Sequence, residues 1–189
     1  MEAIEALHRC DIKAIADVVF NQKMGADETE DVIACEVYMN DRNVISGEPY
    51  NILAWTKFNF NNRSNKYSDF KWNWTHFHGV DWDDRGKKSA IFKFYGKNWD
   101  NDVDKENGNF DYLMGADVDL NNVDVVEELN NWGKWYLKFC DLDGFRLDAI
   151  KHMRESFFKN WVDNMQNSSD KDLFFVGEYW NNNIDILCN

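Results

Sequence analysis

DGFRLDAIKH, residues 143–152, begins as a short apolar strand and ends in a cluster of ionisable side chains. Side chains alternate along a strand, so Arg146 and Asp148 share one face and Phe145 and Leu147 share the other. An arginine beside a carboxylate keeps it ionised, as a nucleophile requires. The pattern is typical of the catalytic end of a barrel strand, although a structural Arg–Asp pair fits this decapeptide equally well.

Helical and strand patterns alternate around this stretch. Apolar spacing predicts a helix over Val123–Cys140 and a second helix around Phe157–Met165, followed by a strand over Leu173–Glu178. Strand, helix and strand in about 35 residues form a βαβ unit, which implies parallel strands and a right-handed crossover. Upstream, a helix tail over Glu2–Arg9 precedes a strand over Ile12–Asn21.

The middle of the chain, residues 22–122, has a different character. It is rich in Asn, Asp, Trp and Gly and lacks a helical stripe. About 100 residues is far longer than an ordinary loop, so we interpret this region as an inserted, irregular, β-rich domain. Strands are predicted over Ala34–Met39 and Ile91–Tyr95. The predicted divisions are a barrel segment over 1–21, the insert over 22–122 and a second barrel segment over 123–189.

Composition narrows the class of partner. The 189 residues carry a net charge of −13, and this acidity argues against a nucleic acid partner and suits cation binding. Aromatic content of 16%, with nine Trp, serves either a core or the stacking of sugar rings. No apolar run is long enough to cross a membrane. The four cysteines show no metal-binding or disulfide spacing and are predicted to be buried thiols, while the cellular compartment is left open.

Four segments in order carry a family resemblance. DGFRLDAIKH is similar to the strand-four signature of the alpha-amylase family, glycoside hydrolase family 13, closest to its bacterial liquefying type. Asp17–Asn21 (DVVFN), Asp111–Asp119 (DYLMGADVD) and Phe175–Trp180 (FVGEYW) resemble three further family segments. The resemblance implies an α/β fold, namely a partial TIM (β/α)8 barrel, about strands 3 to 5, with an inserted irregular β-rich domain B.

The implied activity is endo-acting hydrolysis of α-1,4-glucosidic bonds in starch or glycogen with retention, which needs two carboxyl groups. Asp148 would be the nucleophile, ionised by Arg146, and Glu178 the acid/base, its pKa raised by desolvation and by the charge of Asp148. Adjacent strands about 4.8 Å apart suit the short carboxyl separation of a retaining enzyme. A strand-end carboxylate can instead serve only as a helix cap.

Substrate-binding residues are implied by the same resemblance. Lys151, His152 and Trp180 would line the subsites that receive the leaving part of the glucan. Asp17 and Gln22 would hold the sugar at the cleavage point. Gln22 stands where the family usually carries a histidine, so transition-state contacts should weaken.

Calcium is the implied cofactor. Asn21, Asp111, Asp117 and the backbone carbonyl of His152 match the family's structural site, and Ca²⁺ prefers such hard oxygen ligands. A solvated acidic loop without an ion is the alternative. Two positions of the family's second cation cluster are His78 and Asn121 here. Asp100 and Asp119 remain, and they are therefore doubtful ligands for a second ion.

The resemblance covers part of a catalytic domain. A full barrel takes about 250 residues, and the family's third carboxylate would lie beyond Asn189. We therefore expect the remainder of the barrel to be supplied by the same parent chain, and this piece to be inactive alone. The alternative function is a non-catalytic relative that binds glucan or a protein partner.

Overall fold

The computed structural model describes residues 2–64 and 66–187. It contains four helices and ten strands in the described residues, and these alternate with four short 3₁₀ turns at Asn61–Arg63, Trp74–His76, Glu106–Gly108 and Ile150–His152. The helices are α1 (Glu2–Arg9), α2 (Val123–Cys140), α3 (Glu155–Gln166) and α4 (Ile184–Leu187). The strands are β1 (Ile15–Val18), β2 (Gln22–Lys23), β3 (Glu28–Tyr38), β4 (Asp41–Ile45), β5 (Tyr50–Lys57), β6 (Phe77–Asp83), β7 (Lys88–Phe94), β8 (Ala116–Val118), β9 (Gly144–Leu147) and β10 (Phe174–Gly177).

A parallel sheet of three strands has the order β1-β9-β10, and it positions the ionisable cluster. In its register Arg146 lies beside Asp17 on one side and Val176 on the other. The strands approach closely at Gly144, where an added Cβ would lie 1.9 Å from the carbonyl oxygen of Phe174. The three predicted barrel strands are therefore present, parallel and adjacent.

One face of this sheet packs against α2 and α3. Phe145 and Trp161 are fully buried, and their ring centroids lie 5.0 Å apart in an edge-to-face arrangement. Gly133 lets the two helices approach, because a Cβ there would lie 2.7 Å from the Trp161 ring. The apolar spacing of α2 predicts a buried stripe of Val125, Leu129, Trp132, Tyr136 and Phe139; Val125 and Leu129 are buried, but Phe139 is half exposed. The buried face of this helix continues through Gly133 and Leu137 instead.

The opposite face of the parallel sheet is open in the described part of the chain. The apolar side chains exposed there are Ile15, Val19, Phe174 and Val176. Alternation along the predicted strand 12–21 would place Asp17 and Asn21 on one face; Asp17 lies on this open face, but Asn21 does not. The strand ends at Val18, and Asn21 is buried where its carbonyl accepts a hydrogen bond from Val118 N–H at 2.9 Å.

The middle region forms an antiparallel sheet of seven strands. Its order is β2-β8-β6-β7-β3-β4, and β5 also pairs with β3, on the side opposite to β7. This agrees with the expected β-rich insert, and the strands predicted over 34–39 and 91–95 overlap β3 and β7. The boundaries at residues 22 and 122 stay a prediction.

The prediction that the cysteines are buried holds for only some of them. Cys35 is buried and Cys140 is half-buried, whereas Cys10 is exposed, because it follows the last turn of α1 and faces solvent. Cys188 lies outside the described residues. None of the described helices is both long and apolar enough to cross a bilayer.

Candidate active site and buried cation cluster

Asp148 and Glu178 directly follow the adjacent strands β9 and β10. The backbone ladder continues through both residues: Asp148 N–H donates to Val18 O at 3.0 Å, and Glu178 N–H donates to Leu147 O at 2.8 Å. The next residue, Ala149, has a left-handed φ of 53°, which turns the chain away from the strand direction. Both carboxyl groups therefore lie at the carboxyl edge of the parallel sheet.

One guanidinium group joins these carboxylates. Arg146 Nη1 pairs with Asp148 and lies 2.7 Å from Asp17 Oδ1, and Arg146 Nη2 lies 2.8 Å from Glu178 Oε2. These ion pairs raise the pKa of Arg146, since its charged form is stabilised. Asp17, Asp148 and Glu178 thus surround one guanidinium group, and the surface that these side chains form with Arg146 is called the cleft.

The expected rise in the pKa of Glu178 is wrong for this structure. Its pKa is lowered, mainly because the indole Nε1–H of Trp180 donates to Oε1 at 2.6 Å. The Ala149 N–H and the charge of Arg146 act in the same direction. With 28% of the Glu178 side chain exposed, desolvation is too weak to reverse them.

The remaining predicted substrate residues lie around the cleft. Lys151 is buried and donates to Trp180 O at 3.0 Å, whereas the Trp180 side chain is 77% exposed. The His152 Nδ1 atom lies 2.7 Å from Phe110 O, and burial lowers the pKa of His152. Gln22 belongs to β2 opposite Asp117, and its Oε1 atom has no hydrogen-bond partner among the described residues.

A segment of the insert also reaches the cleft, which the sequence did not reveal. Glu106 pairs with the ammonium group of Lys151, and Asp104 accepts a hydrogen bond from the Tyr179 hydroxyl at 2.7 Å. The only signal in the sequence was the general abundance of acids in this region. The two contacts connect the insert to the loops that follow β9 and β10.

Asp111 and Asp117, two of the predicted metal ligands, are buried around His78. The imidazole Nδ1 lies 3.0 Å from Asp111 Oδ2 and 3.2 Å from Asp117 Oδ2. Its Nε2 lies 2.9 Å from Asp119 Oδ1, an ion-pair distance without good hydrogen-bond geometry. His78, Asp111 and Asp117 are close enough to hold one metal ion together. From the sequence, His78 was noted only as the residue that stands where the family's second cation cluster has an acidic side chain.

This cluster is short of positive charge. Burial raises the pKa of Asp100 to about 7, and burial together with the charge of Asp111 raises the pKa of Asp117. For His78, the neighbouring carboxylates outweigh burial and raise the pKa. Asp100 Oδ2 is buried without a hydrogen-bond partner in the described chain. A bound cation would relieve this imbalance, so the donor set fits a metal ion.

The two doubtful ligands have protein partners. Asp119 forms an ion pair with Lys97 at 2.6 Å, and Asp100 accepts a hydrogen bond from the Asn121 amide at 2.5 Å. The backbone carbonyl of His152 belongs to a residue whose ring contacts Phe110, the neighbour of Asp111. Asp111 and Asp117 therefore lie together, whereas Asn21 and His152 are linked to this region through Val118 and Phe110, the chain neighbours of Asp117 and Asp111.

Comparisons with known proteins show what the chain resembles. No protein-family model matches it. It is 52% identical over 191 residues to an alpha-amylase of Geobacillus stearothermophilus, a match covering 100% of this chain and 35% of that protein. It is 53% identical over 188 residues to an alpha-amylase of Bacillus licheniformis, covering 99% and 36%. The alpha-amylase of Geobacillus thermoleovorans complexed with acarbose has a similar fold, with a TM-score of 0.55 at 19% identity over 98% of this chain and 30% of that one.

Fold and site together define an α/β protein that contains part of a (β/α)8 barrel, with an inserted β-rich domain beside an acidic cleft. Over its whole length, the chain is similar to part of proteins named alpha-amylases. It spans about a third of the length of the curated relatives it matches. The resemblance and the fold class predicted from the four segments are confirmed.

Proposed function

We propose that this chain contributes the nucleophile and the acid/base to endo-acting hydrolysis of α-1,4-glucosidic bonds in starch or glycogen, with retention of configuration. The observation that carries the proposal is the guanidinium of Arg146, which holds Asp148 and Glu178 from adjacent parallel strands in one cleft. Retaining hydrolysis needs two carboxyl groups this close together. The identity to proteins named alpha-amylases over the whole chain supports the same reaction.

Asp148 attacks the anomeric carbon while Glu178 protonates the leaving oxygen. Water then hydrolyses the glycosyl-enzyme, and Glu178 acts as the base. Arg146 forms a charge-assisted ion pair with Asp148 and orients its carboxylate. Glu178 needs a proton before the first step, but the hydrogen bond from Trp180 Nε1–H lowers its pKa. A glucan that fills the cleft displaces water from Glu178 and raises that pKa, so substrate binding prepares the acid.

The glucan contacts follow from the positions of the surrounding side chains. Trp180 and Lys151 lie beside Glu178, on the side where the leaving part of the glucan would bind. Asp17 lies on the other side of Arg146, where it would bind the sugar at the cleavage point. His152 and Gln22 complete the proposed set.

The test is Asp148→Asn in the full-length protein that contains this chain. We expect starch hydrolysis to fall by about a thousandfold or more, because an amide cannot act as the nucleophile. Asp170→Asn, an exposed acid outside the cleft, is the matched control and should leave the rate unchanged. Unchanged release of reducing sugar by the Asp148 variant would refute the proposal. The isolated chain is expected to release little or none.

We also propose that calcium is the ion of the buried cluster, held by Asn21, Asp111, Asp117 and the backbone carbonyl of His152. Three of the four oxygen donors are buried side chains, and burial together with the charge of Asp111 raises the pKa of Asp117. Removing Ca²⁺ with a chelator should destabilise the full-length protein by about 3 kcal/mol when the free ion had been at about 100 times Kd.

The calcium proposal is checked by thermal melting with and without chelator, followed by titration with Ca²⁺. The Asp111→Asn variant should melt near the chelated wild type and respond little to added Ca²⁺. Asp124→Asn, at the first turn of α2, serves as the control. A melting temperature that does not change on chelation would contradict the site. We expect no second ion at Asp100 and Asp119, since both already have protein partners.

Gln22 favours a second candidate function, a relative that binds glucan without cleaving it. Its Oε1 atom is buried without a partner, and its amide cannot carry a charge to the transition state. Glucan binding without hydrolysis by the full-length protein would select this candidate. The intact group of Arg146, Asp148 and Glu178 supports the catalytic one.

A further inference from the structure

The loop that follows β10, residues 178–181, is held by a carboxyl group of the insert. Asp104 Oδ2 accepts a hydrogen bond from the Tyr179 hydroxyl at 2.7 Å, and the side-chain amide of Asn181 lies 3.4 Å from the same oxygen. These two residues stand on either side of Trp180 in the chain. Asp104 therefore fixes the loop at two points around the residue that contacts the carboxyl group of the cleft.

Asp104 is itself held in place, because each of its remaining polar atoms has a partner. Its N–H donates to Lys151 O at 3.2 Å, its carbonyl accepts from Phe110 N–H at 2.9 Å, and Oδ1 accepts from Glu106 N–H at 2.8 Å. Burial would raise the pKa of Asp104, but the hydrogen bonds from Tyr179 and Glu106 outweigh burial and lower it. The side chain is therefore a charged acceptor with a fixed orientation.

The orientation of Trp180 depends mainly on its backbone. The residue is 77% exposed, so few atoms pack against its ring. Its indole Nε1–H donates to Glu178 Oε1 at 2.6 Å, and its backbone carbonyl accepts from Lys151 Nζ at 3.0 Å. Keeping an exposed side chain in one orientation costs conformational entropy. That cost is smaller when the backbone on both sides is already ordered, and the contacts of Asp104 provide this order.

The hydrogen bond from Trp180 influences the charge of Glu178. It is the main reason that the pKa of Glu178 is lowered in the open cleft. A loop that moved freely would break this bond for part of the time, and the pKa of Glu178 would rise towards its ordinary value. The contacts that hold the loop therefore influence the acid of the proposed reaction from outside the parallel sheet.

We propose that Asp104 is a positioning residue for the reaction. Through Tyr179 and Asn181 it fixes the loop after β10, so that the indole N–H of Trp180 stays on the carboxyl group of Glu178. The inference rests on the proposed function, since it concerns the acid of that reaction. Asp104 acts through these neighbours and not by contact with the glucan.

A direct electrostatic effect of Asp104 is the alternative, and it has the opposite sign. A negative charge near a carboxyl group raises its pKa, so removing the charge of Asp104 would lower the pKa of Glu178. Releasing the loop would instead raise this pKa. Tyr179→Phe separates the two effects, because it removes the hydroxyl group that Asp104 holds and leaves every charge in place.

The experiment measures kcat/KM against pH for the full-length protein on a short soluble maltooligosaccharide. The alkaline limb reports loss of the proton from Glu178 in the free protein. Tyr179→Phe should move this limb to higher pH. At a fixed pH on the limb, kcat/KM relative to its own maximum should rise about threefold, as expected for one weakened hydrogen bond. Arg146 and Asp148, which contact Glu178, and Asp17, which contacts Arg146, are unchanged in this variant.

Further variants test whether the effect passes through the loop. Asp104→Ala and Asp104→Asn both remove the charge, and only the asparagine keeps an oxygen acceptor for the Tyr179 hydroxyl, so the limb of Asp104→Ala should lie at higher pH. Trp180→Phe removes the indole N–H and should also move the limb to higher pH. Adding Tyr179→Phe to Trp180→Phe should give no further shift, since both act through the same bond. Tyr38→Phe, exposed on β3, is the matched control.

An alkaline limb that stays in place in Tyr179→Phe, or moves to lower pH, would overturn the proposal, even when the rate falls at every pH. Hydrogen exchange of the backbone amides over 179–183 tests the same contact without hydrolysis. Tyr179→Phe should exchange faster than the wild type there, and equal rates would also overturn the proposal. Failure of the proposed function appears separately, as hydrolysis by Asp148→Asn or as no hydrolysis by the wild-type protein.

Discussion

Asp143 connects three segments at the end of the parallel sheet opposite to the cleft. Its Oδ2 accepts a hydrogen bond from Ala14 N–H at 2.8 Å and lies 2.7 Å from His8 Nε2, while Oδ1 lies 3.0 Å from Lys171 Nζ. Burial alone would raise the pKa of this carboxyl group. The Ala14 N–H, Lys171 and His8 outweigh burial and lower the pKa from 3.8 to about 2.

This lowered pKa predicts how stability depends on pH. A carboxylate with a lower pKa in the folded state stabilises it above the unfolded value of 3.8, and the contribution is lost as the pH falls towards about 2. Asp143→Asn should therefore cost on the order of 1–2 kcal/mol at pH 7, and the difference from wild type should shrink between about pH 4 and pH 2. Urea unfolding across this range measures it.

Asp170→Asn, at an exposed position, should show neither the loss at neutral pH nor its recovery in acid. A difference between Asp143→Asn and wild type that stays constant down to pH 2 would indicate lost packing or hydrogen bonding rather than lost charge.

The sequence was sufficient to predict which residues lie in the cleft, but it was not sufficient to predict the pKa values of their side chains. Strand parity places Arg146 and Asp148 on one face, and parallel adjacency brings Glu178 next to them. The pKa of Glu178 depends on Trp180 Nε1–H and on solvent exposure, which are properties of a three-dimensional environment. The position of His78 among Asp111, Asp117 and Asp119 likewise depends on the register between β6 and β8, which no local pattern specifies.

Helix α2 shows what can be predicted for an element. Its observed bounds, Val123–Cys140, are those predicted, because strong signals stand at both ends. Asn122 caps the first turn by accepting a hydrogen bond from Asp124 N–H at 3.0 Å, and Asp141 ends the helix with a left-handed φ of 55°. Strand β1 was predicted over 12–21 but spans only Ile15–Val18, since its length is set by its four-residue partner β9.

The cap at Asn122 leads to a prediction for the stability of α2. Asn122→Ala should reduce the free energy of unfolding by about 1 kcal/mol, because the amide of Asp124 loses its acceptor. Asn122→Asp keeps the acceptor and adds a charge that suits a helix N-terminus, so it should restore the loss. Chemical denaturation of both variants measures the effect, and Asn160→Ala, exposed on α3, is the control.

The Asp variant also separates two roles of this residue. The Asn122 side-chain amide donates to Thr75 O at 3.3 Å, which links the start of α2 to the insert. An aspartate cannot make that bond. If Asn122→Asp is as unstable as Asn122→Ala, the link to Thr75 matters more than the cap.

At the scale of the whole molecule, the parallel sheet has an open apolar face and two unpaired edges in the described part of the chain. Ile15, Val19, Phe174 and Val176 are exposed on this face, and β1 and β10 each pair on one side only. The sequence pattern predicted that side chains alternate between the two faces of the sheet. It could not show which face would be covered, because covering depends on other elements that pack against the sheet. Exposed edges beside apolar surface promote pairing between chains.

We therefore expect the isolated chain to associate with itself at micromolar to millimolar concentrations, because apolar faces and strand edges of two copies cover each other. Val176→Lys places a charge in the middle of the exposed face and should shift the chain towards monomer. Sedimentation velocity over a concentration series measures the distribution. Lys159→Ala, on the outer side of α3, should associate as the wild type does. A wild-type chain that stays monomeric throughout the series would contradict the prediction, and it would mean that the face is covered by a rearrangement within one copy.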